Sequence, residues 1–228
     1  MAKQPHLLIA GATGSGKSVT VNGILCDLLT VYGPDRVRLI LLDPKRTELK
    51  QYERIPHTLA YASDVPDMIQ ALAYADRIMD DRFQRMQQTG DRIFRGSDIY
   101  IVIDELAALM TTNKRAVLPI LQRIGMLGRA ARVHMIACTQ TVKADVLPTP
   151  LTCNFDARVA LRTATAQQSR MIIDRSGCEF FPNPRSAGVA YGYYRDGADL
   201  TLYKIPYTSD ERIAAVTAWW AGPECIAS

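Results

Sequence analysis

Short apolar runs alternate along the chain with longer stretches whose apolar residues recur every three or four positions. Residues 7–10 (Leu7, Leu8, Ile9, Ala10) make the first run. The stretch after it carries Val21, Ile24, Leu25, Leu28, Leu29 and Tyr32 at helical spacing until Gly33-Pro34 stops it. Residues 37–42 form a buried-type strand that ends in Asp43-Pro44-Lys45, because proline cannot continue a central ladder. Asp64 is placed to cap a long helix with Met68, Ile69, Leu72, Ala75, Met79, Phe83 and Met86 on one face, ended near Gly90. Runs at 99–103, 133–138 and 155–161 give three further strands. Leu118, Leu121, Ile124 and Leu127 mark a helix between the first two, with Pro119 tolerable only in its first turn or as a kink. Five strands separated by crossovers predict an α/β fold: a mostly parallel sheet covered by helices, with the site in loops at the strands' C-terminal ends.

The tail reads differently. Residues 189–194 and 200–205 flank Arg195-Asp196-Gly197-Ala198-Asp199, a hairpin signal, and Thr208-Ser209-Asp210-Glu211 has the form of a capping box opening a last helix. There is no repeat, low-complexity tract or linker-like shift in composition, and 228 residues fit one large domain spanning 1–228, since single cores grow to about 250 residues.

Composition excludes several classes. With 48% apolar and 22% charged residues the chain reads as a globular α/β protein rather than a disordered one. No apolar run nears the ~20 residues of a membrane helix and no signal peptide is evident, so a cytoplasmic protein is expected. The five cysteines (Cys26, Cys138, Cys153, Cys178, Cys225) are odd in number and widely spread, which argues for reduced, mostly core residues rather than a zinc site or disulfide frame. A net charge of +4 permits a polyanionic partner without demanding one.

The candidate chemistry begins at Gly11-Ala12-Thr13-Gly14-Ser15-Gly16-Lys17-Ser18, which satisfies G-x-x-x-x-G-K-[ST] between a strand and a helix. The glycines let backbone N–H groups and a helix N-terminus face polyphosphate oxygens, Lys17 reaches the β/γ-phosphates of ATP, and the Ser18 hydroxyl takes a place on Mg²⁺. Asp104-Glu105 ends an all-apolar strand. Asp104 can hold the Mg²⁺ hydration shell beside Ser18, and Glu105 can polarise water for in-line attack on the γ-phosphate. The plainer alternative is an acidic pair that caps the next helix. Gln140, closing the following strand, could place an amide near the γ-phosphate or could simply begin a loop. Arg129 and Arg132, in Gly128-Arg129-Ala130-Ala131-Arg132, are surface arginines or candidates to complete a neighbouring subunit's site. Lys45, Arg46 and Lys143 could neutralise phosphates along a DNA path or be ordinary charged loop residues.

Together these residues resemble the motor domain of the FtsK/SpoIIIE DNA translocases. The likeness runs through His6-Leu7-Leu8-Ile9-Ala10-Gly11 and the phosphate loop, then Asp43-Pro44-Lys45, Ile55-Pro56-His57, Asp104-Glu105, Gly128-Arg129-Ala130-Ala131, Thr139-Gln140 and Ser169-Arg170-Met171-Ile172-Ile173-Asp174. The resemblance implies a RecA-like P-loop NTPase that hydrolyses ATP with Mg²⁺ in a homo-oligomeric ring, usually hexameric, around double-stranded DNA. It implies that Lys17 and Ser18 bind nucleotide and metal, Asp104 and Glu105 serve hydrolysis, Gln140 senses the γ-phosphate, and Arg129 acts in trans. Arg132 stands where the family pattern carries glycine, so both arginines are candidates for that role. Membrane-anchoring and DNA-reading modules are expected outside this chain, which reads as an excised core or a short relative from a mobile element. The alternative is an ATPase like those of type VII secretion, moving a polypeptide.

Overall fold

The computed structural model describes residues 4–222. An eight-stranded sheet runs through it: β1 (His6–Ala10), β2 (Val37–Leu42), β3 (Thr58–Ala62), β4 (Asp98–Ile103), β5 (Val133–Thr139), β6 (Ala157–Ala160), β7 (Ala190–Asp196) and β8 (Asp199–Ile205). Their spatial order is β3-β2-β4-β5-β1-β6-β7-β8. The first six strands are parallel, and β7 and β8 add an antiparallel hairpin at one edge. The mostly parallel sheet and terminal hairpin expected from the sequence are present.

The helices are α1 (Lys17–Val31), α2 (Val65–Thr89), α3 (Leu106–Ala131), α4 (Thr149–Thr152), α5 (Ala166–Ile173), α6 (Pro184–Ala187) and α7 (Asp210–Ala221). They cover both faces of the sheet, which is why the central strands read as nearly continuous apolar runs. Ile9, Leu39 and Leu41 pack with Val21, Leu25 and Leu29 of α1 and Ile213 of α7. Leu8, Ile40 and Leu42 point the other way, toward Met68, Leu72 and Met79 of α2 and Leu121 and Ile124 of α3. Neighbouring residues thus serve opposite layers, as the period of two requires. The Asp64 side chain accepts from the Asp67 N–H at 3.0 Å, as the sequence leads one to expect.

Three details differ from the sequence reading. The strand β3 was not anticipated: Thr58-Leu59-Ala60-Tyr61-Ala62 is half-buried on the sheet edge, and its short apolar run is half alanine, a residue depleted in strands. Helix α3 begins at Leu106, well before Leu118. The polar stretch Thr111-Thr112-Asn113-Lys114 interrupts its apolar spacing, and Asn113 leaves helical geometry (φ −147°, ψ 51°), so the chain kinks there with Pro119 in the second segment. The last helix is capped one residue later than the capping box suggested. Ser209 accepts from the Arg212 N–H at 3.3 Å, because Thr208 is buried against α1, where a Cβ on Gly23 would meet its hydroxyl at 3.0 Å. Cys26, Cys138 and Cys178 are buried and free, whereas Cys153 is exposed; Cys225 lies outside the described residues.

No helix among the described residues is long and apolar enough to cross a membrane.

Candidate functional site

The phosphate loop joins the C-terminal end of β1 to the first turn of α1. It is tied to both neighbouring strands: the Gly11 N–H donates to the Thr139 carbonyl (3.3 Å) and the Ala12 N–H to the Arg162 carbonyl (2.8 Å). Gly16 caps α1 at φ 102°, where a side chain would be strained, and a Cβ there would stand 3.0 Å from that of Ala190. Lys17 is buried, with its ammonium donating to the carbonyls of Gly11 (2.8 Å) and Ala12 (2.9 Å); burial lowers its pKa.

Strands β4 and β5 deliver the rest. Asp104 is buried at the tip of β4, with Lys45 Nζ 3.0 Å from its Oδ2 and 4.0 Å from Glu105 Oε2. Burial raises the Asp104 pKa even against that cation. For Lys45 desolvation opposes the charge, but Asp104, Glu105 and Glu48 together outweigh it and raise the pKa. Lys45 therefore faces the acidic pair while it is itself exposed, as are Arg46 and Lys143 of the same DNA-path reading.

Glu105 is the N-cap of α3, which bears out the plainer alternative, but its carboxylate does more. Oε1 accepts from the Ala107 N–H (3.4 Å), the Thr139 hydroxyl (3.1 Å) and the Gln140 N–H (3.2 Å). Gln140 in turn accepts from the Thr13 hydroxyl at 2.6 Å. Phosphate loop, β4 tip and β5 tip are thus joined through Glu105 and Gln140.

Lys17, Ser18, Asp104 and Gln140 line one cleft of about 650 Å³ at the C-terminal ends of the strands. An oxygen-seeking ion suits the donors present: a serine hydroxyl and a buried carboxylate, with phosphate oxygens to complete the shell, as Mg²⁺ requires of few protein ligands. The far bank of the cleft includes Arg185, Lys204 and Tyr207, from α6 and the segment after β7. The sequence reading missed these three. They stand outside any motif, Arg185 in α6 just before β7, Lys204 in β8 and Tyr207 just after it.

Arg129 and Arg132 are not in this cleft. Both lie at the opposite end of α3, Arg129 in its last turn and Arg132 as its C-cap. Arg132 is bidentate to the buried Asp98, with Nε–Oδ1 at 2.8 Å and Nη2–Oδ2 at 2.6 Å, whereas Arg129 is exposed. Gly128 beside them is required by close approach: a Cβ would stand 2.3 Å from the Val133 carbonyl oxygen.

The FtsK/SpoIIIE family model matches residues 1–101. The chain is also 36% identical over 242 aligned residues to the DNA translocase FtsK of Mycobacterium tuberculosis (strain H37Rv), covering 95% of this chain and 28% of that protein. The chain belongs to the FtsK/SpoIIIE family. It spans about a quarter of the length of the curated relatives it matches. Among solved structures, the pCW3 conjugation coupling protein TcpA with ATPγS superposes with a TM-score of 0.80 at 23% identity, covering 94% of this chain and 64% of that one. The type VII secretion ATPase EccC of Thermomonospora curvata superposes at 0.76 and 22% identity, covering 96% and 28%. These two likenesses show a shared fold.

Proposed function

We propose that this chain is the ATP-hydrolysing core of a motor that moves double-stranded DNA. The observation that carries the reading is the convergence on one cleft of Lys17, Ser18, Asp104 and Gln140, with Glu105 bonded to the tip of β5. In this reading the amides of residues 11–18 and the Lys17 ammonium hold the triphosphate of ATP, and Ser18 and Asp104 would hold Mg²⁺, which draws charge from the phosphoryl oxygens when bound. Glu105 orients the attacking water, and Gln140 reports the γ-phosphate to the loop after β5.

Arg129 is assigned the trans role. It is exposed at the far end of α3 from its own cleft, and so serves a neighbour's site only in an assembly such as the hexameric ring of the family. Arg132 is occupied by Asp98 and holds the end of the sheet instead. The motor is read as cytoplasmic, acting with membrane-anchoring or DNA-reading modules on other segments or chains.

Duplex DNA is favoured over a polypeptide substrate because the relatives at 36% identity are DNA translocases, whereas the likeness to EccC is one of fold. ATP turnover measured with long duplex DNA, with a secreted-type peptide and with neither decides between them. DNA stimulation that Lys17→Ala abolishes is expected; stimulation by peptide alone would transfer the protein to the secretion ATPases.

A further inference from the structure

We propose that Arg185 is a second phosphate-binding residue, acting in cis on the same nucleotide as the phosphate loop; this rests on the reading of the cleft as a nucleotide site. The guanidinium stands directly over the loop. A Cβ built on Gly14 would lie 3.4 Å from Arg185 Nε, 3.7 Å from Cζ and 3.8 Å from Nη2. The side chain lines the same cleft as Lys17 and Ser18.

Its position is built from both sides. The Asn183 side chain accepts from the Arg185 N–H at 3.1 Å, and the Ser186 hydroxyl donates to the Asn183 carbonyl at 3.1 Å, so the turn of α6 is held at its start. At its end the chain turns through Gly188 (φ 65°) into β7, whose first residue, Ala190, abuts Gly16. The arginine is thus suspended between a capped turn and the strand that touches the loop.

Arg185 is exposed and makes no ion pair among the described residues, so its charge is unspent on the protein. The cations lining the cleft are Lys17, Lys45, Lys204 and Arg185. Lys17 is bonded to loop carbonyls and Lys45 to Asp104, which leaves Arg185 as the planar fork nearest the loop. Such a fork matches two oxygens of a phosphate at once, which an ammonium does not. An anion cradled by the loop amides around Gly14 would then be touched by loop and arginine from opposite sides. Because those amides face the inner phosphates shared by ADP and ATP, both nucleotides gain the contact.

The test is equilibrium binding of fluorescent ADP and ATP to the full chain at protein concentrations well below self-association. Arg185→Ala should weaken both nucleotides by roughly tenfold, Arg185→Lys should recover part of the loss, and the melting temperature without nucleotide should not change. Wild-type affinity for both nucleotides in Arg185→Ala would overturn the assignment, as would a loss confined to ATP. If the wild-type chain itself bound neither nucleotide, the failure would lie with the nucleotide site and not with Arg185.

Discussion

The Thr13 hydroxyl donates to the Gln140 side-chain oxygen at 2.6 Å, joining residues 127 positions apart. Thr13 belongs to the phosphate loop and Gln140 to the tip of β5, whose backbone N–H is held by Glu105. A phosphate group entering the loop competes for the Thr13 hydroxyl, and the amide it releases can turn toward that phosphate. Gln140→Ala should therefore leave nucleotide affinity within about threefold while lowering turnover on the order of a hundredfold. Paired measurements of binding and single-turnover hydrolysis check this; equal losses in both would make Gln140 a structural strut of the loop.

Lys17 offers the complementary case. Its ammonium is buried and bonded to two carbonyls of its own loop, so Lys17→Ala removes those bonds together with the charge facing the phosphates. ATP affinity is expected to fall by at least about a hundredfold, and the melting temperature by only a few degrees, since the loop keeps its bonds from Gly11 to β5 and from Ala12 to Arg162. Titration calorimetry and thermal unfolding read the two effects separately.

The two arginines at the end of α3 should behave oppositely. Mixing Arg129→Ala subunits with Glu105→Ala subunits should restore part of the hydrolysis each has lost, because some interfaces then pair an intact Glu105 with an intact Arg129. Absence of rescue in assemblies shown to be mixed would remove Arg129 from the trans role. Arg132→Ala should instead lower stability by roughly 2–4 kcal/mol, since it leaves the buried Asp98 carboxylate with His134, at 3.0 Å, as its hydrogen-bonding side chain among the described residues. Denaturant unfolding measures that loss in the isolated chain.

What the sequence made legible follows from how local each feature is. The phosphate loop, the strand before it and the helix after it are contiguous, so spacing alone exposes them. Asp104-Glu105 was legible because an all-apolar strand must end before an acidic pair. The first half of α3 was hidden by Thr111-Thr112-Asn113, where the kink breaks the apolar period. The strand β3 was hidden because an edge strand buries only part of its surface. Arg185 was illegible for a different reason: nothing near it in the chain marks it, and only the pairing of β7 with β6 sets the start of β7, and α6 just before it, beside the loop. The cap of α7 shifted by one residue because burial of Thr208 under α1 overrode the local capping pattern.

His6 gives the fold a pH dependence with a definite sign. The ring is buried at the start of β1, and its Nδ1 accepts from the Met135 N–H at 3.1 Å, which requires a neutral ring. Burial, with a smaller push from His134, lowers its pKa to about 4, against about 6.5 in the unfolded chain. A folded value below the unfolded one means that the unfolded chain binds more protons between the two. Stability is therefore complete above about pH 6.5 and is lost as pH falls toward 4, by at most roughly 3 kcal/mol. His57, also lowered by burial, adds in the same direction. His6→Asn keeps an acceptor for Met135 and removes the titration, so its unfolding free energy should fall less steeply than wild type between pH 7 and 4.5. Parallel curves for the two proteins would show that the acid sensitivity arises elsewhere in the chain.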